Sequence, residues 1–268
     1  MRRPVVSARS KWLAGLGLAL LAALGPAAAQ SDTAADWGDD DWGDDPWAEE
    51  SSGWQWYGFI EGAYAGRTQT DAAVDEEATL SELRVQLEGS RRIGDFDAML
   101  KGDIRADGVE DGGRAELREA NLDGTLTPNL DIRLGRQIMT WGTGDLVFLN
   151  DLFPKDYVSF FSGRNDEYLK APSDAVRLSW FGAVNVDLVW MPVADPNRYI
   201  EGKRLSYFSP AAGTRVADPV DPRERDDLGD DSEFALRMYQ TVDGVEYAGY
   251  AYHGYDKQPS AFDPATGE

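Results

Sequence analysis

The chain has 268 residues, no cysteine and a formal net charge of −22 at pH 7, from 48 acidic and 26 basic side chains. Without cysteine it forms no disulfide, so hydrogen-bonded structure must stabilise it. The acidic balance argues against nucleic acid or anionic lipid as a partner.

The first segment reads as an export signal. Arg2, Arg3 and Lys11 precede an apolar stretch at residues 12–24, and Ala27-Ala28-Ala29 supplies a small-residue cleavage site. The stretch is shorter than the about 20 residues that a membrane-spanning helix needs. We therefore predict a signal peptide at residues 1–29.

Residues 30–53 form an acidic leader with a repeated Asp-Trp-Gly-Asp-Asp sequence and no Lys or Arg. This composition predicts disorder, and a solvated leader is the simpler interpretation. The alternative is a docking segment that binds a periplasmic partner through Trp37, Trp42 and Trp47, because Trp is frequent in interface hot spots. A calcium loop fits poorly, since Gly43 occupies the place of a ligand.

From Trp54 onward the sequence alternates with a period of two, as in Leu83 and Val85 against Glu82 and Arg84. We predict nine strands and no amphipathic helix. The strands are expected at residues 54–67, 82–88, 96–105, 114–124, 130–141, 174–181, 184–190, 233–240 and 245–255.

Short and long connections alternate between these strands. Tight turns are expected at residues 92–94, 125–129, 182–183 and 241–244, and long loops at residues 68–78, 106–113, 142–173 and 192–232. This alternation is typical of an outer-membrane β-barrel. We therefore expect residues 54–268 to be the N-terminal part of such a barrel, with the N-terminus and the tight turns in the periplasm of a Gram-negative cell.

A soluble β-sandwich shows the same alternation, so other features must decide between the two. Strands of about ten residues suit a tilted membrane strand. Trp180 and Phe181 lie beside a tight turn, whereas Trp141 and Trp190 lie beside long loops, as in two interfacial aromatic girdles. These features favour lipid outside the apolar face.

Two places depart from simple alternation. Arg136 would face lipid, at a cost of about 2 to 4 kcal/mol at mid-bilayer, so we expect a bulge at Gly135 that turns it inward. Arg118 and Glu119 are adjacent and charged. One of them should lie at the rim or beside a bulge.

The loop at residues 142–173 carries many apolar and aromatic side chains, including Leu146, Phe153 and Phe161, so we expect it to fold inward. It would then narrow the passage and set selectivity, or serve only as a plug or cap. The candidates for lining the pore or its constriction are Glu82, Arg84, Asp103, Arg105, Arg133, Arg136, Asp145, Asp151, Lys155, Asp156 and Arg164.

Enzymatic interpretations find little support. His253 is the only histidine, so a multi-histidine metal site cannot form, and a rim position explains this residue. Gly142-Thr-Gly-Asp145 lacks the rest of a phosphate loop. Acidic pairs such as Asp226-Asp227 are expected to be solvated. We predict no catalytic residue, no metal and no cofactor.

The last predicted strand is followed by a polar tail at residues 256–268. Bacterial barrels of one chain have an even number of strands, and nine is odd. We therefore expect an open half-barrel with unpaired edges at the first and ninth strands, as in a fragment or truncated product.

Four motifs resemble an uncharacterised family of proteobacterial outer-membrane barrels. They are ELREANLD at 116–123, RLGRQIMTWG at 133–142, DLFPKDY at 151–157 and LVWMP at 188–192, and they cover about the middle third. The family is porin-like and distantly similar to alginate-export porins, which implies an outer-membrane channel.

We expect passive passage of small hydrophilic solutes through a barrel surrounded by outer-membrane lipid. The alternative is a membrane-anchored adaptor that holds a periplasmic partner through the leader.

Overall fold

The computed structural model describes residues 53–141, 151–199, 202–210, 212–219 and 225–258. The predicted signal peptide, the three leader tryptophans Trp37, Trp42 and Trp47, and Asp145 all lie outside these residues. The expectations about them stay predictions.

The described chain is all-β, with one nine-stranded antiparallel sheet and a separate small hairpin. The strands are β1 (Gln55–Gly66), β2 (Ala78–Ile93), β3 (Phe96–Asp107), β4 (Gly112–Thr127), β5 (Leu130–Gln137), β6 (Ser173–Trp180), β7 (Asn185–Met191), β8 (Tyr207–Ser209), β9 (Thr214–Val216), β10 (Glu233–Val242) and β11 (Val245–His253). The strands of the large sheet are neighbours in chain order, and β7 pairs directly with β10. The separate β8–β9 hairpin lies in the connection between these two strands.

The nine predicted strands are confirmed, and the sheet is open. β1 and β11 lie at its two edges, and they do not pair with each other within the described residues. The expectation of a barrel is therefore confirmed only as an antiparallel all-β sheet.

The connections correct the sequence analysis in two places. The predicted loop at 106–113 is a four-residue turn between β3 and β4, because Asp107 Oδ1 accepts hydrogen bonds from the backbone N–H groups of Val109 and Glu110 at 3.0 and 3.2 Å. The connection after β7 contains the β8–β9 hairpin, which was not predicted.

The two faces of the sheet differ sharply in burial. The outward side chains of Leu83 and Ile104 are 56% and 51% exposed, whereas the inward side chains of Glu82 and Arg84 are 8% and 2% exposed. On β2 and β3, apolar side chains thus point to the surface and charged side chains to the covered face, opposite to the usual distribution in a water-soluble domain.

The predicted irregularity at Arg118 and Glu119 is confirmed as a β-bulge. Lys101 of β3 pairs with Glu119, and the next residue, Gly102, pairs with Leu117, so Arg118 is the extra residue of β4. The bulge lets two adjacent charged side chains share the inner face, where Arg118 is fully buried.

The bulge predicted at Gly135 is wrong. Pairing of β5 with both neighbours runs without a shift through Gly135, although this glycine has a φ of 112°. Arg136 consequently stays on the outer face opposite Asp174, at 3.4 Å. Its Nε donates to the Leu117 carbonyl beside the Arg118 bulge at 2.7 Å, which satisfies the arginine without inward rotation.

Two short helical turns interrupt the connection between β5 and β6. Helix α1 spans Tyr157–Ser162. Its N-cap is Asp156, whose side chain accepts a hydrogen bond from Ser159 N, and its C-cap is Gly163 in the left-handed region. A 3₁₀ turn follows at Asp166–Leu169. No helix in the described part of the chain is both long and apolar enough to cross a membrane.

A small apolar cluster lies on the inner face near the ends of β6, β7 and β10. Its buried members are Met139, Trp141, Phe153, Ala175, Val189, Met191 and Ala235. Trp141 packs edge-on against Phe153, with ring centroids 5.0 Å apart. The cluster fixes the start of the loop that leads to α1.

Candidate functional site

Two loop segments cover the inner face of β2, β3 and β4. The first segment is residues 151–172, and the second is residues 192–199 with 202–204. Inward folding was expected for the loop at residues 142–173, of which residues 142–150, with Leu146, lie outside the described residues. In the described part Phe153 is buried, whereas Phe161 is 58% exposed. We call the inner face of β2, β3 and β4 the wall. Charged contacts with the wall hold the rest of the segment.

Three loop arginines each bind a wall carboxylate. Arg164 binds Glu82, with its Nε 3.0 Å from Oε2. Arg198 binds Glu116. Arg204 binds Asp107 and lies 2.9 Å from Glu110. The three arginines thus attach both segments to β2, β4 and the end of β3.

Tyr168 of the 3₁₀ turn inserts between two wall arginines. The centre of its ring lies 3.5 Å from the guanidinium carbon of Arg84 and 4.6 Å from that of Arg118. Its hydroxyl donates to Gln86 Oε1 at 2.6 Å. Arg118 Nη2 also donates to the Glu167 carbonyl at 2.9 Å. We call these residues the tyrosine clamp.

The inner-face charges under the segments are arranged in rows of alternating sign. Arg84 lies directly opposite Arg105, a like-charge pair that is unfavourable alone. Glu82 and Asp103 on the adjacent rows compensate, since Arg84 lies 3.2 Å from Glu82 and 3.6 Å from Asp103. Arg84 is therefore paired within the wall, whereas Asp107 and Glu116 are paired by arginines of the loops.

Two charged residues of the loops have shifted pKa values. Burial lowers the pKa of Lys155, an effect that Asp151 at 3.0 Å opposes. The hydroxyl of Ser206 and the N–H of Ala73 hold the pKa of Asp71 below its ordinary value, with help from Arg215. Asp71 thereby links the loop before β2 to the loop before β8.

The predicted lining residues separate into different groups. Glu82, Arg84, Asp103, Arg105 and Arg164 come together as expected, but the two segments bury them. A role in lining the pore stays a prediction for these residues, and their burial favours a role in holding the loops.

The predicted charges at the start of the first segment stabilise that segment itself. Asp151 binds Lys155 and accepts from Thr140 at 2.9 Å. Asp156 caps α1 and binds Arg198 at 3.2 Å. His253 lies opposite Phe234 on the outer face and is exposed, which agrees with a rim position.

An open row of charges crosses the inner face nearer the tight turns. Arg92, Asp97, Asp123, Arg133 and Arg177 lie directly opposite one another on β2 through β6. Arg92 is 3.3 Å from Asp97, and Arg133 binds Asp123. We call this set the charged belt. The side chains of Arg92 and Arg133 are 61% and 31% exposed, so the belt faces open space.

Several of these residues were missed by sequence reasoning. Arg177 carried a usable signal, since it alternates with Val176 and Leu178, but only the register places it beside Arg133. Tyr168, Arg198 and Arg204 lie in irregular loops and contact strands far away in sequence, so no local pattern marked them.

The comparison with protein families is decisive for classification. The family model described as "Protein of unknown function (DUF1302)" matches residues 65–266. The chain belongs to this family. The match extends well beyond the middle third that suggested the resemblance, and it includes the wall, both loop segments and the charged belt. A comparison of this DUF1302 chain with curated proteins finds no match.

No group of three or more His, Cys, Asp or Glu side chains in the described ranges is arranged to hold a metal ion.

Proposed function

We propose that this DUF1302 chain forms part of the wall of a porin-like channel in the proteobacterial outer membrane, through which small hydrophilic solutes pass passively. The observation that carries the proposal is the reversed burial of the sheet. Outward residues on adjacent strands are apolar and exposed, whereas the inward residues are charged. A sheet placed in lipid with a polar lumen has this distribution.

A soluble sandwich would cover the apolar face with a second layer. Among the described residues nothing does so. Ile60, Leu83 and Ile104 are all more than half exposed on this face. Lipid is the covering that suits so broad an apolar surface. In this arrangement we expect the N-terminus in the periplasm.

Aromatic residues lie near both ends of the outer face. Trp56 packs on Gly89 near the tight-turn end, where a Cβ on the glycine would lie 2.5 Å from the indole ring. Trp180 is exposed at the same end, and Trp190 is exposed near the long loops. Such positions suit the two water–lipid interfaces.

Planar-bilayer recording of the full-length protein tests the proposal. Purified protein should produce stepwise currents, and ion gradients should give a reproducible reversal potential. Absence of currents from correctly folded, membrane-inserted protein would refute the channel. Leu83→Asp should block membrane insertion, while the matched change Ser90→Asp on the inner face should not.

Deletion of residues 30–53 distinguishes the adaptor interpretation from the channel. If the wall is the functional part, the deletion leaves the conductance unchanged. If the leader holds a periplasmic partner, the deletion abolishes capture of that partner while the protein still inserts.

A further inference from the structure

Within the described part of the chain, the side chain of Arg177 on the inner wall makes no hydrogen bond and no ion pair, although its backbone belongs to β6. It is only partly buried on the inner face of β6. Other charged members of the belt are paired: Arg92 with Asp97, and Arg133 with Asp123.

The register explains why Arg177 is left over. On one side it lies directly opposite Arg133, and on the other side it lies opposite Val189, which is fully buried. Directly opposed side chains have Cβ atoms about 4.5–5.5 Å apart. The two arginine side chains thus start from directly opposed positions on the inner face, and like charges so placed are unfavourable unless an anion compensates them.

The nearest carboxylates are diagonal to Arg177, and other groups engage them. Asp131 accepts from Thr125 Oγ1 at 2.8 Å. Asp187 accepts from Ser179 Oγ at 2.7 Å and lies 3.7 Å from Arg237. Neither lies within 4 Å of the Arg177 guanidinium, so the donors of Arg177 remain available.

We propose that Arg177 and Arg133 form a binding site for the oxyanion of a small solute, a carboxylate or a phosphate group. A planar guanidinium binds either group through two parallel hydrogen bonds, and a second arginine adds charge. Such a site would give anions a local position on the inner face. The inference rests on the proposed channel only for the route by which the solute arrives.

The test measures binding directly, without current. Full-length protein in detergent is titrated with inorganic phosphate, followed by ³¹P line broadening, and separately with ¹³C-labelled acetate. Wild type should bind at least one of the two anions with a saturable isotherm. Arg177→Gln should weaken binding about ten-fold or more, as expected for loss of a charged hydrogen-bond pair, and Arg133→Gln should also weaken it.

Arg91→Gln is the matched control, because Arg91 is exposed, carries the same charge and lies opposite Ala98 on the outer face. It should leave binding unchanged. Equal weakening by Arg91→Gln and Arg177→Gln would show a general charge effect and overturn the site, as would unchanged binding in Arg177→Gln. Binding without bilayer currents would refute the channel and retain the site. Currents without saturable binding would refute the site and retain the channel.

Discussion

The inner face contains two charged regions that differ in what covers them. The wall around Glu82, Arg84 and Asp103 is buried beneath two loop segments whose arginines bind it. The charged belt from Arg92 to Arg177 carries similar side chains but remains open. Inward charge alone therefore does not determine exposure. Coverage by the loops decides which inward charges hold the loops in place and which remain exposed.

The largest expected effect comes from removing a charge in the covered region. Glu82→Ala leaves Arg164, Arg84 and Arg105 without a shared carboxylate. Breaking a buried ion pair on one side destabilises a protein by about 3–5 kcal/mol. Urea unfolding in lipid vesicles, followed by tryptophan fluorescence, should show a loss of that size.

The matched change in the open belt is Asp97→Ala, which removes an exposed ion pair with Arg92. Exposed pairs contribute about 0–1 kcal/mol. If the two variants lose similar stability, the distinction between a covered and an open region is wrong.

The tyrosine clamp gives the next largest effect. Tyr168→Leu keeps an apolar side chain but removes the ring between Arg84 and Arg118, and a desolvated cation–π contact contributes about 2 kcal/mol. Residues 151–172 should then become accessible to protease, and the channel conductance should rise. Phe161→Leu, at an exposed position in the same segment, should change stability by less than about 0.5 kcal/mol. Equal protease sensitivity in both variants would contradict the clamp.

The two regions also differ in how far the sequence predicts them. Alternation from Glu82 to Glu88 correctly indicated which side chains face inward, and the adjacent charges Arg118 and Glu119 correctly indicated an irregular strand. The bulge at Gly135 was wrong because the partner of Arg136 is a carbonyl on the neighbouring strand, which only the register reveals.

The loop contacts were beyond prediction for a related reason. Arg198 contacts Glu116 at a sequence separation of 82, and a contact between an irregular loop and a regular strand leaves no periodic signal. The sequence therefore predicts the wall well and its cover poorly.

Asp156 has two roles, as the N-cap of α1 and as an ion-pair partner of Arg198. Two substitutions separate these roles by a smaller difference in stability. Asp156→Ala loses both, and loss of an N-cap costs about 1 kcal/mol. Asp156→Asn keeps the cap and loses only the charge, so most stability should remain. Hydrogen exchange at Ser159 N measures the difference. Similar protection in both variants would show that the cap is dispensable.

The same contacts bear on Asp151→Lys combined with Asp156→Lys, a double change that tests whether the loop at residues 142–173 sets ion selectivity. Both carboxylates bind within the loop segments. The double change should therefore loosen the first segment, and any selectivity shift should be accompanied by increased protease sensitivity there.

The smallest effect is a pH dependence at the contact between Asp71 and two residues of the β7–β10 connection, Ser206 before β8 and Arg215 in β9. The Ser206 hydroxyl and the Ala73 N–H favour ionised Asp71 and place its pKa below the ordinary 3.8. A carboxyl with a lowered folded pKa stabilises the contact above its unfolded pKa, and this contribution is lost as pH falls through the folded value. The protection factors of amides at residues 67–77, corrected for the intrinsic pH dependence of exchange, should therefore stay high at pH 5 and fall only below about pH 3.8. Asp71→Asn should remove this dependence, and an unchanged acid response in Asp71→Asn would assign it to another carboxyl.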